Sequence, residues 1–544
     1  MLHPINPVLP GCHPDPSVCR VGEDYWLVVS SFTYWPALPV FHSHDLVSWE
    51  PAGHVIDRAE QLSLTGLETS DGVWAPTIRH HGGLFYVVST VANGRTGESN
   101  FVVTATDPRG PWSQPVDLGV AGIDPSLFFD VDGRCWFTLC RDSESPEATG
   151  PGEIWMREFN PETLSLVGPE YVLWHGAVAG AWVEAPHLFL RDGVYYLVGA
   201  EGGTERRHSV TAARSPSVTG PWKTDPRSPL LTHRHLSPDH AIQNIGHADL
   251  VDTPDGETWA LVLGVRPVNG VHALGRETFL VPVEWCEAGP VFAPETGQVR
   301  TRERIPEGSQ APERSAAVEL VERVRFEAPR LPPGWSSLRG DVTPLLYSAS
   351  HPRGDRPTPH DDRLRLALTE ETLSGRGMPA FIARRQQHLQ AIVTADLEFS
   401  PATMNEEAGL ALFHAEHRWA AITVTLDDRG RRVAAGTAEL GEGVRRGEEA
   451  LLPPGPVRLA IAADGDGYQF SLAGDTAGRS PIPLAWYARR EFSTEVAGGF
   501  VGVHIGVYAT STGEPSTNSV AITGFEYRGS ASSGSNLDTH LVSA

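Results

Sequence analysis

Three carboxylates in the first half of the chain stand where acid–base chemistry could use them. Asp15 lies in HPDPS, Asp124 in IDPSLFF and Glu184 in VEAPHL. Taken singly, the two Asp-Pro steps read as ordinary turn starts. Glu184 has no such local reason to be acidic. Taken together, the three occupy matching points of a repeating unit, and acids gathered near one apolar-lined axis repel one another. That destabilises a fold unless the chemistry needs it. Hydrolysis of a glycosidic bond is such chemistry. One carboxyl must be protonated, to give its proton to the leaving oxygen. A second must be ionised, to activate water or attack carbon. A third, close to the acid, raises the acid's pKa by repulsion. Residue types alone leave inversion and retention equally open, because that choice depends on the carboxylate separation.

The unit that must position them occurs five times. Its copies are DPSVCRVGEDYWLVVS from Asp15, APTIRHHGGLFYVVST from Ala75, DPSLFFDVDGRCWFTLC from Asp124, APHLFLRDGVYYLVGA from Ala185 and HADLVDTPDGETWALVLG from His247. The intervals are 60, 49, 61 and 62 residues. Each copy predicts an inner strand, a Gly-containing hairpin turn and an aromatic-rich second strand. Between copies, HSHDLVSWE (42–50), TDPRGPWSQP (106–115) and SPSVTGPWKT (215–224) each read as a turn delivering a Trp onto an outer strand. About four strands per period describe propeller blades. A single two-sheet sandwich would not force a fivefold repeat. The inner strands of a propeller surround a central channel, so Asp15, Asp124, Glu184, Trp74 and His247 should converge near the axis. Trp74 and Phe32 are candidate platforms for a sugar ring.

The repeat stops after Trp285. Beyond about residue 325 strands alternate cleanly. In AIVTADLEF, Val393, Ala395, Leu397 and Phe399 share one face, and Thr394, Asp396 and Glu398 the other. Such alternation predicts sheets buried on one side. The expected organisation is all-β: a five-bladed propeller over 1–310, a linker over 311–324, a jelly-roll-like β-sandwich over 325–530 and a flexible tail over 531–544.

The chain has 544 residues and a net charge of −24. Such an acidic chain is a poor partner for nucleic acid or an anionic membrane. The N-terminus lacks the basic and apolar regions of a signal peptide. Cys12, Cys19, Cys135, Cys140 and Cys286 are odd in number and contain no CxxC pair. They read as free buried thiols, and the expected location is cytoplasmic. HRHLSPDHAIQNIGHAD fits no zinc spacing and reads as a connecting loop. DGDG (464–467) reads as a hairpin turn.

NPVLPGCHPDPS, SSFTYWPALPVFHSHDLVSW, DGVWAPTIR, IDPSLFFDVDGRCWF, VEAPHLFLRDGVYYL, IGHADLV and LGRET resemble glycoside hydrolase family 43. FIARRQQH (381–388), DLEFSP and EEAGLALF resemble the C-terminal sandwich domain of its β-xylosidase and α-L-arabinofuranosidase members. The resemblance implies that Asp15 is a general base, Glu184 the general acid and Asp124 the residue that tunes the acid, in an inverting single displacement. It implies that Arg276 contacts substrate and that Phe32, Trp74 and His247 line the sugar subsite. Some members use such a histidine to help hold calcium, so His247 is also a candidate ligand for a structural Ca²⁺ near the axis. No cofactor is needed for the chemistry. Ala185 replaces a Gly found in many family β-xylosidases, and IGHADLV is closer to the branch holding both activities. The expected function is release of terminal xylose from short β-1,4-xylo-oligosaccharides. The alternatives are an α-L-arabinofuranosidase or dual enzyme, and a non-catalytic sugar-binding propeller. The expected partner is a small oligosaccharide, and a homo-oligomer is allowed. Phe492 and Phe500 are the sandwich residues considered for reaching the pocket, with a core role the primary reading.

Overall fold

The structure, a computed structural model, describes residues 2–309 except 95–96, 146–147 and 149, and then 320–324, 331–350, 364–474 and 480–530. Five four-stranded antiparallel sheets form a propeller. Their innermost strands are Ser17–Val21, Gly72–His81, Ile123–Phe129, Val183–Arg191 and Gln243–Asp252. Each pairs through a tight hairpin with the second strand of its blade. Gly133, at φ 86° in the blade 3 turn, adopts a conformation that a side chain would disfavour. Trp49, Trp112 and Trp222 each donate an indole N–H to a carbonyl three or four residues back, just before the outer strand of blades 1, 2 and 4. The blade 5 outer strand, Gly289–Phe292, extends the repeat past Trp285.

Period-two alternation explains how the blades stack. In Cys135–Asp142, residues Cys135, Phe137 and Leu139 face blade 2, while Trp136 and Cys140 face blade 4. The same logic gives one apolar cluster at each of the five blade interfaces. Truncating a ring such as Trp136, 1% exposed, to alanine costs about 3–5 kcal/mol. The chain closes its own ring. The N-terminal segment pairs Leu9 with Thr278 on the third strand of blade 5 and buries Ile5, Val8 and Leu9 between blades 5 and 1.

The second domain packs a seven-stranded and an eight-stranded sheet around one core. The eight-stranded sheet begins with Tyr34–Trp35 of the propeller, which pairs with Trp335–Leu338. A further cluster lies at this junction, formed by Cys12, Phe32 and Tyr34 with Leu338, Phe381, Phe413 and Tyr508. Two expectations change. Residues 320–324 of the expected linker form a strand against Ser519–Ser530, because alternating LVERV suits that edge. Cys286 is exposed, since it sits at the turn between the last two strands of blade 5, whereas the other four thiols are buried. The rest of the expected linker up to residue 319 and the tail 531–544 lie outside the described residues. Among the described residues no helix is long and apolar enough to cross a membrane.

Candidate active site

The backbone at the head of each inner strand aims the side chains. Asp15, Asp124, Ala185 and His247, at the same point of four blades, all have left-handed φ, from 48° to 59°. Such residues cost of order 1–3 kcal/mol each and persist where the surrounding structure imposes them. At this point the ladders of blades 2 to 5 also shift register, between Trp74 and Thr77, Ile123 and Ser126, Glu184 and His187, and Gly246 and Ala248. A bulge of this kind re-aims a side chain out of the ladder. Blade 2 lacks the left-handed residue and presents Trp74 instead.

Asp15 is buried, and its oxygens are engaged on both sides. Oδ1 lies 3.2 Å from Arg276 Nη1 and 3.5 Å from His247 Nδ1. Oδ2 accepts a 2.6 Å hydrogen bond from Ser30. Burial alone would raise its pKa, but Arg276, His247 and Ser30 together outweigh that and hold it below the ordinary carboxylate range. Glu184 behaves oppositely. Burial first, then the nearby Asp15 charge, push it up to about 7, against the pull of Arg276. Asp124 is also pushed well up, by burial, then Glu184, then Asp15, although its Oδ2 accepts the Ala185 N–H at 3.0 Å. The Asp124–Glu184 pair therefore keeps a proton near neutral pH that isolated carboxyls would have lost. His247, whose pKa burial lowers, is neutral there.

Aromatic rings wall the same space. Gly72, at φ 90°, lets two strands approach closely: a Cβ there would lie 2.5 Å from the Phe32 carbonyl oxygen. Phe32 and Val73 exchange backbone hydrogen bonds of 2.9 and 3.0 Å, which sets Phe32 beside Trp74. The Trp74 ring meets Phe500 edge-on at 5.4 Å. The Arg276 guanidinium lies 5.8 Å from the Phe32 ring and 5.4 Å from the Phe500 ring. Arg276 also donates to Thr204 Oγ1 at 3.0 Å. Asp15, Asp124, Glu184, Phe32, Trp74, Arg276 and His247 thus form one cluster, joined by Phe500 from the second domain. Phe492 is fully buried in the sandwich core instead. Thr204, Glu205 and His208 were not read from the sequence. They follow the second strand of blade 4, in GGTERRHS, outside the repeated unit.

Beneath the site, Asp249 is fully buried. Its oxygens accept from Ser17 Oγ at 2.7 Å and from both Arg79 Nη atoms at 2.8 and 3.1 Å. Arg79 also donates to His187 Nδ1 at 3.0 Å. A guanidinium cannot accept, so His187 carries its proton on Nε2, where it cannot bind a cation. Calcium requires several oxygen ligands. Here the axial carboxylate is already satisfied by a fixed guanidinium, and His247 offers one nitrogen directed at Asp15. These residues do not fit the calcium considered for His247.

Comparison with known proteins places this arrangement. The profile of glycosyl hydrolases family 43 matches residues 4–291, and that of the β-xylosidase C-terminal concanavalin A-like domain matches 323–528. This chain belongs to glycosyl hydrolase family 43. Within the family, it is 36% identical to a xylosidase/arabinosidase of Butyrivibrio fibrisolvens, across 94% of this chain and 97% of that one. It is 37% identical to a non-reducing-end α-L-arabinofuranosidase of Bacteroides ovatus, across 96% and 94%. The crystal structure of a xylan β-1,4-xylosidase from Bacillus halodurans superposes with a TM-score of 0.86 at 30% identity, covering 96% of this chain and 99% of that one. This family 43 enzyme is a glycoside hydrolase. Its cluster pairs an ionised carboxylate with a protonated carboxyl, the two states that glycosidic cleavage requires.

Proposed function

We propose that the enzyme releases the terminal xylosyl residue from short β-1,4-xylo-oligosaccharides in an inverting single displacement. The opposite pKa shifts of Asp15 and Glu184 within one cluster support a base and an acid in this pair, the xylosidase relatives support the substrate, and the family 43 resemblance supports the inverting course. Asp15, ionised, takes a proton from a water as its oxygen bonds to the anomeric carbon. Glu184, protonated, gives its proton to the departing glycosidic oxygen as the carbon–oxygen bond breaks. Asp124 shares the buried cluster with the acid and accepts the N–H of Ala185, the residue after that acid, so it positions the strand head that carries Glu184. Arg276 keeps Asp15 ionised and offers donors to sugar hydroxyls. Phe32, Trp74 and Phe500 stack against the ring and close off water.

The second reading is an α-L-arabinofuranosidase, favoured by the 37% identity to the Bacteroides ovatus enzyme of that activity. Proton NMR of xylobiose digestion, run beside an arabinofuranosyl-xylo-oligosaccharide, tests both. Early α-xylose is the expected product. Early β-xylose would mean retention and would overturn the roles given to Asp15 and Glu184. Arabinose alone would move the substrate to the second reading and leave the site unchanged.

A further inference from the structure

Blade 1 carries a second cluster of chemistry-bearing side chains, at the end of the blade opposite Asp15. Asp24 opens the second strand, Asp24–Val28, and His42 lies near the end of the third, Ala37–Ser43. His42 belongs to that strand and His44 to the bend that follows it. The ladder pairs Trp26 with His42 and Tyr25 with Ser43, which brings Asp24 beside His44. His42 Nε2 lies 2.7 Å and His44 Nδ1 3.2 Å from Asp24 Oδ1. One ligand atom from each of the three falls within 4.8 Å of the others. Among the described residues no other such group of His, Cys, Asp or Glu is this close.

We propose that Asp24, His42 and His44 bind a divalent transition-metal ion, with zinc as the type case. Two imidazoles and a carboxylate form a donor set suited to zinc, nickel or copper and unsuited to calcium. Ligand atoms bound tetrahedrally at Zn–N and Zn–O lengths of about 2.0–2.2 Å sit about 3.4 Å apart. The His44–Asp24 spacing is already close to that, and binding exchanges the His42–Asp24 hydrogen bond for two metal bonds.

The three ligands are held before the metal arrives. His42 packs against Trp26 at 4.4 Å between ring centroids, and Arg109 covers that indole at 4.7 Å. His44 begins a turn fixed by Ser43 Oγ, which accepts the N–H groups of Asp45 and Leu46 at 3.1 and 3.0 Å. The outer side is open, with the His44 side chain 73% exposed, so a water can complete the coordination. The ion would tie the second strand of blade 1 to the third without touching the catalytic cluster. Blade 1 also lends Tyr34–Trp35 to the sandwich, so the tie would raise the stability of the whole chain by mass action.

The test uses the tag-free full chain, stripped with chelator and desalted, and titrated with ZnCl₂ by calorimetry and thermal unfolding. One zinc per chain and a raised Tm are expected for the wild type. Both should disappear in His44→Ala and in Asp24→Asn, while kcat stays unchanged and so confirms that these variants fold. Added CoCl₂ should give visible d–d bands in the wild type and none in His44→Ala. No zinc binding by the wild type, or equal binding by both variants, would overturn the proposal.

Discussion

At the scale of single residues, one cluster holds a carboxyl below its ordinary range and another above it. Arg276 explains the first, and burial with carboxylate repulsion explains the second. The active pH window follows from the signs. Asp15 must be ionised and stays so until pH falls below its ordinary value. Glu184 must be protonated and loses its proton near pH 7. The rate should therefore fall through an alkaline limb close to pH 7. Glu184→Gln should lower kcat by about 10²–10⁴-fold and remove that limb, as a kcat/KM–pH profile would reveal. The same shift predicts a stability effect. A folded-state pKa raised above the unfolded one means that the folded state holds the extra proton. Stability therefore falls as pH rises from about 4.5 to about 7. Glu184→Gln should flatten that decline and make the inactive protein more stable at pH 7, by on the order of 2 kcal/mol. Unchanged pH profiles of both rate and Tm would show that Glu184 is not the titrating acid.

At the scale of elements, the inner strands determine which residues meet. The repeat made the five strand heads visible in the sequence, because a hairpin with a fixed turn and aromatic spacing leaves a strong period. It could not show that the heads of blades 1, 3, 4 and 5 would be left-handed, or those of blades 2 to 5 bulged, since Asp-Pro, Ala-Pro and His-Ala steps give no local sign of φ near +55°. Thr204 and His208 were illegible for a different reason: they belong to a loop that no other blade repeats. Phe500 was only half legible. EFSTEVAGGFVG offers two phenylalanines of equal chemistry, and long-range packing alone sends Phe492 into the core and Phe500 to Trp74. This makes Phe500 a test of what the second domain contributes. Its ring touches Trp74, and its carbonyl accepts from Arg276 at 3.4 Å. Phe500→Ala keeps the carbonyl and removes only the ring. KM for xylobiose should rise about tenfold, with kcat changed less, because stacking on a sugar ring contributes roughly 1–1.5 kcal/mol. An unaltered KM would exclude the ring from the subsite.

At the scale of the whole molecule, the propeller does not end at its own surface. Blade 1 continues into the sandwich through the pairing of Trp35 with Ser337 and Tyr34 with Leu338. The rings that line the catalytic cluster are therefore shared property. Phe32 and Tyr34 are each 2% exposed, and the apolar side chains over them come from Leu338, Phe381, Phe413 and Tyr508. Polar ties reinforce the junction: Arg339 donates to the Leu67 carbonyl at 2.7 Å, and Arg385 to the Cys12 carbonyl at 2.6 Å. Each buried aromatic or aliphatic side chain uncovered by removing the sandwich loses about 1.5–3 kcal/mol. Several such losses equal the entire stability of an ordinary domain. A chain ending at residue 309 should therefore be insoluble, or lose its activity even if part of the propeller folds. The reason would be that Phe32 is no longer held against Gly72 and Trp74, not that a catalytic carboxylate is missing, since Asp15, Asp124 and Glu184 are all retained. Solubility, circular dichroism and kcat/KM of the truncated chain distinguish these outcomes. A soluble propeller with full activity would mean that the sandwich neither braces the site nor completes it.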